Sequence, residues 1–170
     1  MDFLELAKER YSVRKFSDKP VEDEKIGKIL EAANLAPSAC HIFPFRVWVF
    51  KSPEAREKVA QTTRFTFGAP VIFCVAADPS KAWARASDGR NFADVDASIV
   101  GTHMMLETAD LGLGSTWVGS FDAPKLKELF PELETYDLVA LFPTGYPAED
   151  CEPSPNHFKR NGAAYFTTVL

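Results

Sequence analysis

The stretch "DVDASIVGTHMMLETADLG" (residues 94–112) constrains the fold more than any other in the chain. At helical spacing, Val95, Ile99, Val100, Met104, Met105, Leu106 and Ala109 cover nearly the whole circumference, and Gly112 stands where a helix would end. A helix that is apolar all round needs cover on every side. With 170 residues the chain has the length of one domain with a substantial core. A subunit interface is therefore a natural source of the remaining cover. A second run, "APVIFCVAAD" (69–78), is almost continuously apolar, as expected of a strand buried on both faces.

Other elements arrange themselves around these two. "DFLELAKER" (2–10) puts Phe3, Leu6 and Ala7 at helical spacing and runs into "YSVRKF" (11–16). A second helix is read over "DKPVEDEKIGKILEAANLA" (18–36). Asp18 is its cap, Pro20 lies in its first turn, and Glu22, Asp23 and Glu24 complement its positive end. Val21, Ile26, Ile29, Leu30 and Ala33 form its buried stripe. "FRVWVF" (45–50) reads as a strand, and "SPEAREKVAQ" (52–61) as a helix capped by Ser52 with Pro53 in first position. "GSTWVGSF" (114–121) and "YDLVALFPTGYP" (136–147) supply two more strands, with a short helix over "DAPKLKELF" (122–130) between them. "SKAWARASDGRNF" (80–92) is a surface loop, and the tail "PNHFKRNGAAYFTTVL" (155–170) closes in an extended apolar run. Neither a repeat nor a linker divides the chain. The expectation is a single domain over 1–170, with an α+β sheet layered by helices.

Several function classes drop out. The net charge of -5 argues against nucleic-acid binding, although it leaves room for a local anion site. Three cysteines without a CxxC pair point away from a disulfide framework and a zinc site. Neither a signal peptide nor an apolar stretch of membrane-spanning length is visible, so the expected location is the cytoplasm. No G-x-G-x-x-G follows a strand, and Walker, H-E-x-x-H and G-x-S-x-G motifs are absent. His41, His103 and His157 share no metal-ligand spacing, and His103 reads as a satisfied core or interface histidine.

What remains is cationic and loop-based. Arg10, Ser12 and Arg14 fall at every second position, so in extended backbone they share one face. Two guanidinium forks and a hydroxyl make a phosphate receptor, or else a solvated strand edge. Lys159 and Arg160 add cations from the tail, and would otherwise be a solvated pair. "PSACHIFP" (37–44) is a polar loop with proline at both ends, either a ligand contact or a plain connector.

The order of these pieces is distinctive. Arg10-x-Ser12-x-Arg14 follows an N-terminal helix; then come "APSACHIFPF", the apolar helix ending "ADLGLGSTWVGSF", and "LFPTGYPAED". This order resembles the nitroreductase family of FMN-dependent oxidoreductases over almost the whole chain. The resemblance implies a central mixed, mainly antiparallel sheet flanked by helices, and a homodimer with exchanged C-terminal tails. It implies two FMN sites between the subunits. Arg10, Ser12 and Arg14 would hold the phosphate and ribityl chain, completed by Lys159 and Arg160. Pro37, Ser38 and His41 would approach the flavin from the other subunit, and the backbone near Gly119 and Ser120 would stand by flavin N5. Gln61 and Arg64 would contact the pyrimidine edge, where a cation favours negative charge on the ring. Three positions depart from the family pattern: His41 replaces an asparagine, Phe43 a glutamine and Phe45 a tryptophan. At Gly119 some relatives carry glutamate.

The implied activity is hydride transfer from NAD(P)H through flavin N5 to a nitroaromatic, quinone or similar small oxidant. One shared site gives ping-pong kinetics and needs no side-chain nucleophile. Phe43, Phe65, Phe67 and Trp83 either line that site or fill the core. The alternatives are a flavoenzyme of the same fold doing ene reduction, dehalogenation or flavin degradation, an FMN carrier or sensor without turnover, or a purely structural dimer.

Overall fold

Strand β2 (Val71–Ala77) is buried at every residue, and the rest of the fold is layered on its two faces. The computed structural model describes residues 2–170. Its sheet has the order β1-β2-β4-β3, with β1 spanning Phe45–Phe50, β3 Gly114–Ser115 and β4 Asp137–Gly145. β1 runs antiparallel to β2 from Phe45 opposite Ala77 to Phe50 opposite Ile72. β4 is antiparallel to β2, with Val71 opposite Thr144 and a slip of register between Val75 and Ala76.

Alternation along β2 explains its apolar composition. Val71, Phe73, Val75 and Ala77 cluster with Ile29 and Ala33 of helix α2 (Asp23–Leu35) and with Ala97, Val100 and Met104 of helix α4 (Ala93–Asp110). Ile72 and Cys74 cluster on the other face with Val59 of α3 (Pro53–Ala60), Leu126 of α5 (Ala123–Leu129), Phe130 and Leu133. Helix α1 (Phe3–Glu9) contributes no buried residue and is capped by the Asp2 carboxylate, which accepts from the Leu4 N–H at 3.0 Å. Ser52 caps α3 with Pro53 in its first turn, and Gly112 follows α4 at φ +72°.

Three expectations are corrected, those for the start of α2, the strand at 114–121 and the tail, while the mixed, mainly antiparallel sheet stands as expected. Helix α2 starts at Asp23, after an N-cap Glu22 that makes no side-chain cap bond, so Asp18 and Pro20 precede the helix. That lead-in is tied down differently. Lys19 sits 3.8 Å above the Tyr146 ring, whose hydroxyl donates to Glu22 Oε2 at 2.8 Å, and Val21 is buried without being helical. Within 114–121 only Gly114 and Ser115 form a strand, and Val118 adds a single bridge to Leu141. The named strand pairs are all antiparallel; among the described residues the sheet's parallel pairing is the isolated bridge between Ser12 and Ser115. The tail forms two 3₁₀ turns, Pro155–Phe158 and Ala163–Tyr165, with no buried residue.

Candidate functional site

The segment leaving α1 lies along the free edge of β3. Ser12 bridges to Ser115, and the Val13 N–H donates to the Ser115 carbonyl at 3.1 Å. Val13 turns inward and is buried against Gly114, where an added Cβ would come 2.3 Å from Val13 Cγ2. The alternation expected of an extended run therefore holds. Ser12 is half-buried and Arg14 exposed, with Arg14 Nη1 donating to the Ser12 carbonyl at 3.3 Å.

Arg14 borders a cleft of about 210 Å³ with Phe65, Phe67, Trp117, Gly119 and Ser120. A second, more polar cleft of about 500 Å³ adjoins it, sharing Phe65, Gly119 and Ser120 and adding Thr63, Arg64 and Asp122. Thr63 Oγ1 donates to the Ser120 carbonyl at 2.7 Å and accepts from the Phe65 N–H at 3.2 Å, which joins the two walls. An added Cβ at Gly119 would meet nothing within 4 Å, so this glycine faces open space. The Arg64 guanidinium lies 4.9 Å above the Phe65 ring. Gln61 caps the end of α3 through its backbone and lines neither cleft.

The tail is brought to the same edge. His157 Nε2 donates to the Lys8 carbonyl at 3.0 Å, and its ring meets Tyr11 edge-on at 6.3 Å. The Tyr11 hydroxyl donates to the Cys151 carbonyl at 3.2 Å. These contacts bring Arg160 near Arg10, whose guanidinium is pushed below its ordinary pKa by burial first and by the Arg160 charge second. Arg10 Nη1 otherwise reaches Met105 Sδ at 3.8 Å, a weak acceptor. Among the described residues, no ion pair involves Arg10, Arg14, Arg64, Lys159 or Arg160. Lys159 is exposed on the same turn of the tail.

Loop 37–44 lies elsewhere. The Asp78 N–H donates to the Pro44 carbonyl at 2.8 Å, and the next residue, Phe45, pairs with Ala77 at one end of β2. Ser12 is at the level of Ser115, Thr144 and Val71, the other end of that strand. Six strand residues put these levels about 20 Å apart within one chain. Pro37, Ser38 and His41 are thus not brought to Arg14. Cys40, His41 and Phe43 have φ of 51°, 57° and 54°, and the His41 ring meets Phe43 edge-on at 4.3 Å. Phe43 lies with this loop, and Trp83 meets Phe92 at 5.0 Å. His103 is satisfied by the Ile99 carbonyl at 2.9 Å. No group of three His, Cys, Asp or Glu side chains could hold a metal among the described residues.

Three residues of this region carry no signal in the sequence. Thr63 joins two loops that are far apart in the chain. Trp117 reads as an ordinary strand aromatic but borders the cleft while meeting Phe142 edge-on at 4.9 Å. The third, Asp96, lies under loop 37–44, where it is buried and accepts the Ala39 N–H.

Comparisons with known proteins identify the family and the fold. The model described as the nitroreductase family matches residues 7–64 and 61–146. A protein of Methanothermobacter thermautotrophicus, provisionally named NADH dehydrogenase/NAD(P)H nitroreductase, is 33% identical over 157 residues, 88% of this chain and 80% of its own. A crystal structure of a nitroreductase family protein from Clostridium difficile superposes with a TM-score of 0.91 at 34% identity, covering 99% of this chain and 98% of that one. A nitroreductase-type structure from Exiguobacterium sibiricum, determined in complex with FMN, has a TM-score of 0.86 at 20% identity over 100% and 98% of the two chains, a likeness of fold. The chain belongs to the nitroreductase family.

Proposed function

We propose that the chain is an FMN-dependent oxidoreductase that uses NAD(P)H to reduce nitroaromatics, quinones or similar small oxidants. The observation that carries this reading is the edge where Ser12 pairs with Ser115 and Arg14 borders an aromatic cleft, with Arg160 of the tail near enough to Arg10 to depress its pKa and neither of these two in an ion pair among the described residues. Like charges repel unless an anion joins them, and a phosphate takes two guanidinium forks well. Beside Arg14 the cleft has aromatic walls and open space at Gly119, which suits a planar ring.

Arg10, Ser12, Arg14, Lys159 and Arg160 would hold the phosphate and sugar-like chain. The backbone N–H groups of Gly119 and Ser120 make no backbone hydrogen bond among the described residues, which leaves them for the ring edge. Arg64, next to them across Phe65, would favour negative charge on the ring, whereas Gln61 lies outside the cleft. FMN, when bound, would supply the hydride-transfer chemistry between NAD(P)H and the oxidant. The protein binds, orients and shields, and one cleft serves donor and oxidant in turn, which gives ping-pong kinetics.

The second wall would come from a second copy of the chain. The distance of about 20 Å between Ser12 and loop 37–44 leaves Pro37, Ser38 and His41 unable to meet this cleft within one chain. A homodimer brings them there and covers the half-buried Met105 and Leu106 of α4.

The test is an absorption spectrum of FMN-incubated, desalted protein before and after anaerobic NADPH or NADH. Retained flavin bands that bleach with either donor support the oxidoreductase. Bands that persist favour a carrier or sensor, and protein without bands refutes the reading.

A further inference from the structure

Asp96 is 1% exposed, and its two carboxylate oxygens are treated unequally. Oδ1 accepts the Ala39 N–H at 2.9 Å, while Oδ2 is buried without a partner among the described residues. A half-satisfied buried carboxylate is expensive, and an asparagine of the same shape would accept the same N–H at lower cost. The charge therefore calls for a reason.

Loop 37–44 supplies one. Cys40, His41 and Phe43 are all left-handed, a conformation that non-glycine residues resist. Inside the loop, Ser38 Oγ accepts from the Phe43 N–H at 2.9 Å, and the Ser38 carbonyl accepts from the His41 N–H at 3.0 Å. The ties from loop to body are the Asp78 N–H to the Pro44 carbonyl at one end and Asp96 at the other. A charge-assisted bond is the stronger kind, suited to holding a strained segment.

We infer that Asp96 is a positioning residue: its buried carboxylate fixes loop 37–44 so that His41 and Phe43 are presented to the flavin bound by a second copy. The inference rests on the function proposed above. It assigns to a residue that touches no ligand the geometry of two of the three positions where this chain departs from the family pattern, His41 and Phe43.

The experiment is an FMN titration of the full chain and of Asp96→Asn, Asp96→Ala, His41→Ala and the Asp96→Ala/His41→Ala double variant, recording the visible spectrum of bound flavin. Asp96→Ala is expected to weaken FMN about tenfold, the loss for one hydrogen bond to a charged group. It should also shift the flavin band, with Asp96→Asn recovering part of both. The His41→Ala effect should shrink in the Asp96→Ala background, because residues acting through one loop are not additive. Alkylation of Cys40, exposed in the same loop, should be faster in Asp96→Ala with or without FMN. A wild-type spectrum and affinity in Asp96→Ala, or full additivity with His41→Ala, overturns the positioning role alone. A wild-type chain that binds no FMN overturns the proposed function together with it.

Discussion

Arg10 and Arg160, from opposite ends of the chain, lie close enough that the tail guanidinium adds to partial burial in lowering the pKa of Arg10. Neither enters an ion pair among the described residues. Such a pair weakens the free protein slightly and gains when an anion arrives. Arg160→Ala should weaken FMN by on the order of 1.5–3 kcal/mol, the range for a hydrogen bond to a charged group. Riboflavin, which lacks the phosphate, should bind the variant as it binds the wild type. Arg14→Ala should cost FMN a similar amount. Fluorescence titrations with both flavins decide it, and unchanged FMN affinity in the two variants removes the phosphate assignment.

The edge that carries this cluster depends on a close approach. A Cβ on Gly114 would fall 2.3 Å from Val13 Cγ2 and 2.7 Å from Val13 Cβ, and both residues are buried. Gly114→Ala should lower unfolding stability by about 1–3 kcal/mol through overpacking. Adding Val13→Ala should return part of that loss, because it removes the colliding methyls. Urea unfolding of the single and double variants is the measurement, and additive losses would refute the contact.

Those two residues also show what was legible in the sequence. The alternation in 10–14 put Val13 inward and the polar residues outward, since period two follows from extended backbone alone. The apolar runs at 45–50, 69–78 and 136–147 marked three strands for the same local reason, and the strands form at 45–50, 71–77 and 137–145. The start of α2 was misread because Asp18 and Pro20 are good local signals, whereas the Tyr146 contacts that hold 18–22 come from the far end of the chain. β3 shrinks to two residues because its partners are the ends of β4 and the Ser12 segment, not its own propensity. The left-handed Cys40, His41 and Phe43 could not be foreseen, as non-glycine residues take that conformation only where tertiary contacts impose it. Of the site, the cations were legible as types. Their neighbours Thr63 and Trp117, and the remoteness of loop 37–44, emerge only from the sheet register.

Cys74 gives a prediction about pH. Burial between the sheet and α3 pushes its thiol up to about 12, from an ordinary value near 9.0. A folded pKa above the unfolded one means the folded state keeps its proton while the unfolded state loses it. The contribution is fully present below pH 9 and is lost as the pH rises towards 12. Over that window the wild type should lose up to about 1.4 kcal/mol per pH unit more than Cys74→Ala. Urea unfolding at pH 8, 9 and 10 under reducing conditions checks this, and parallel slopes would count against it. At pH 8 Cys40 should alkylate while Cys74 stays inert until the chain unfolds.

The tail presents Phe158, Tyr165, Phe166 and Val169 at 72–92% exposure, an unusual load of apolar surface for a segment of polar neighbours. With about 20 Å separating the Ser12 edge from loop 37–44, one chain holds each half of the proposed site without joining them. The proposed homodimer would resolve both facts at once, with the tails covering the partner and one copy's loop meeting the other's cleft. Sedimentation should therefore give twice 18.9 kDa. Ending the chain after Glu152 removes those four side chains and should raise the dimer dissociation constant on the order of a thousandfold or more, at about 1 kcal/mol or more apiece. The truncated chain should keep its helical circular dichroism, because nothing in 155–170 is buried in the core. A wild type that stays monomeric at micromolar concentration would break this argument at its root, since His41 would then have no route to the flavin that Arg10, Arg14 and Arg160 are proposed to hold.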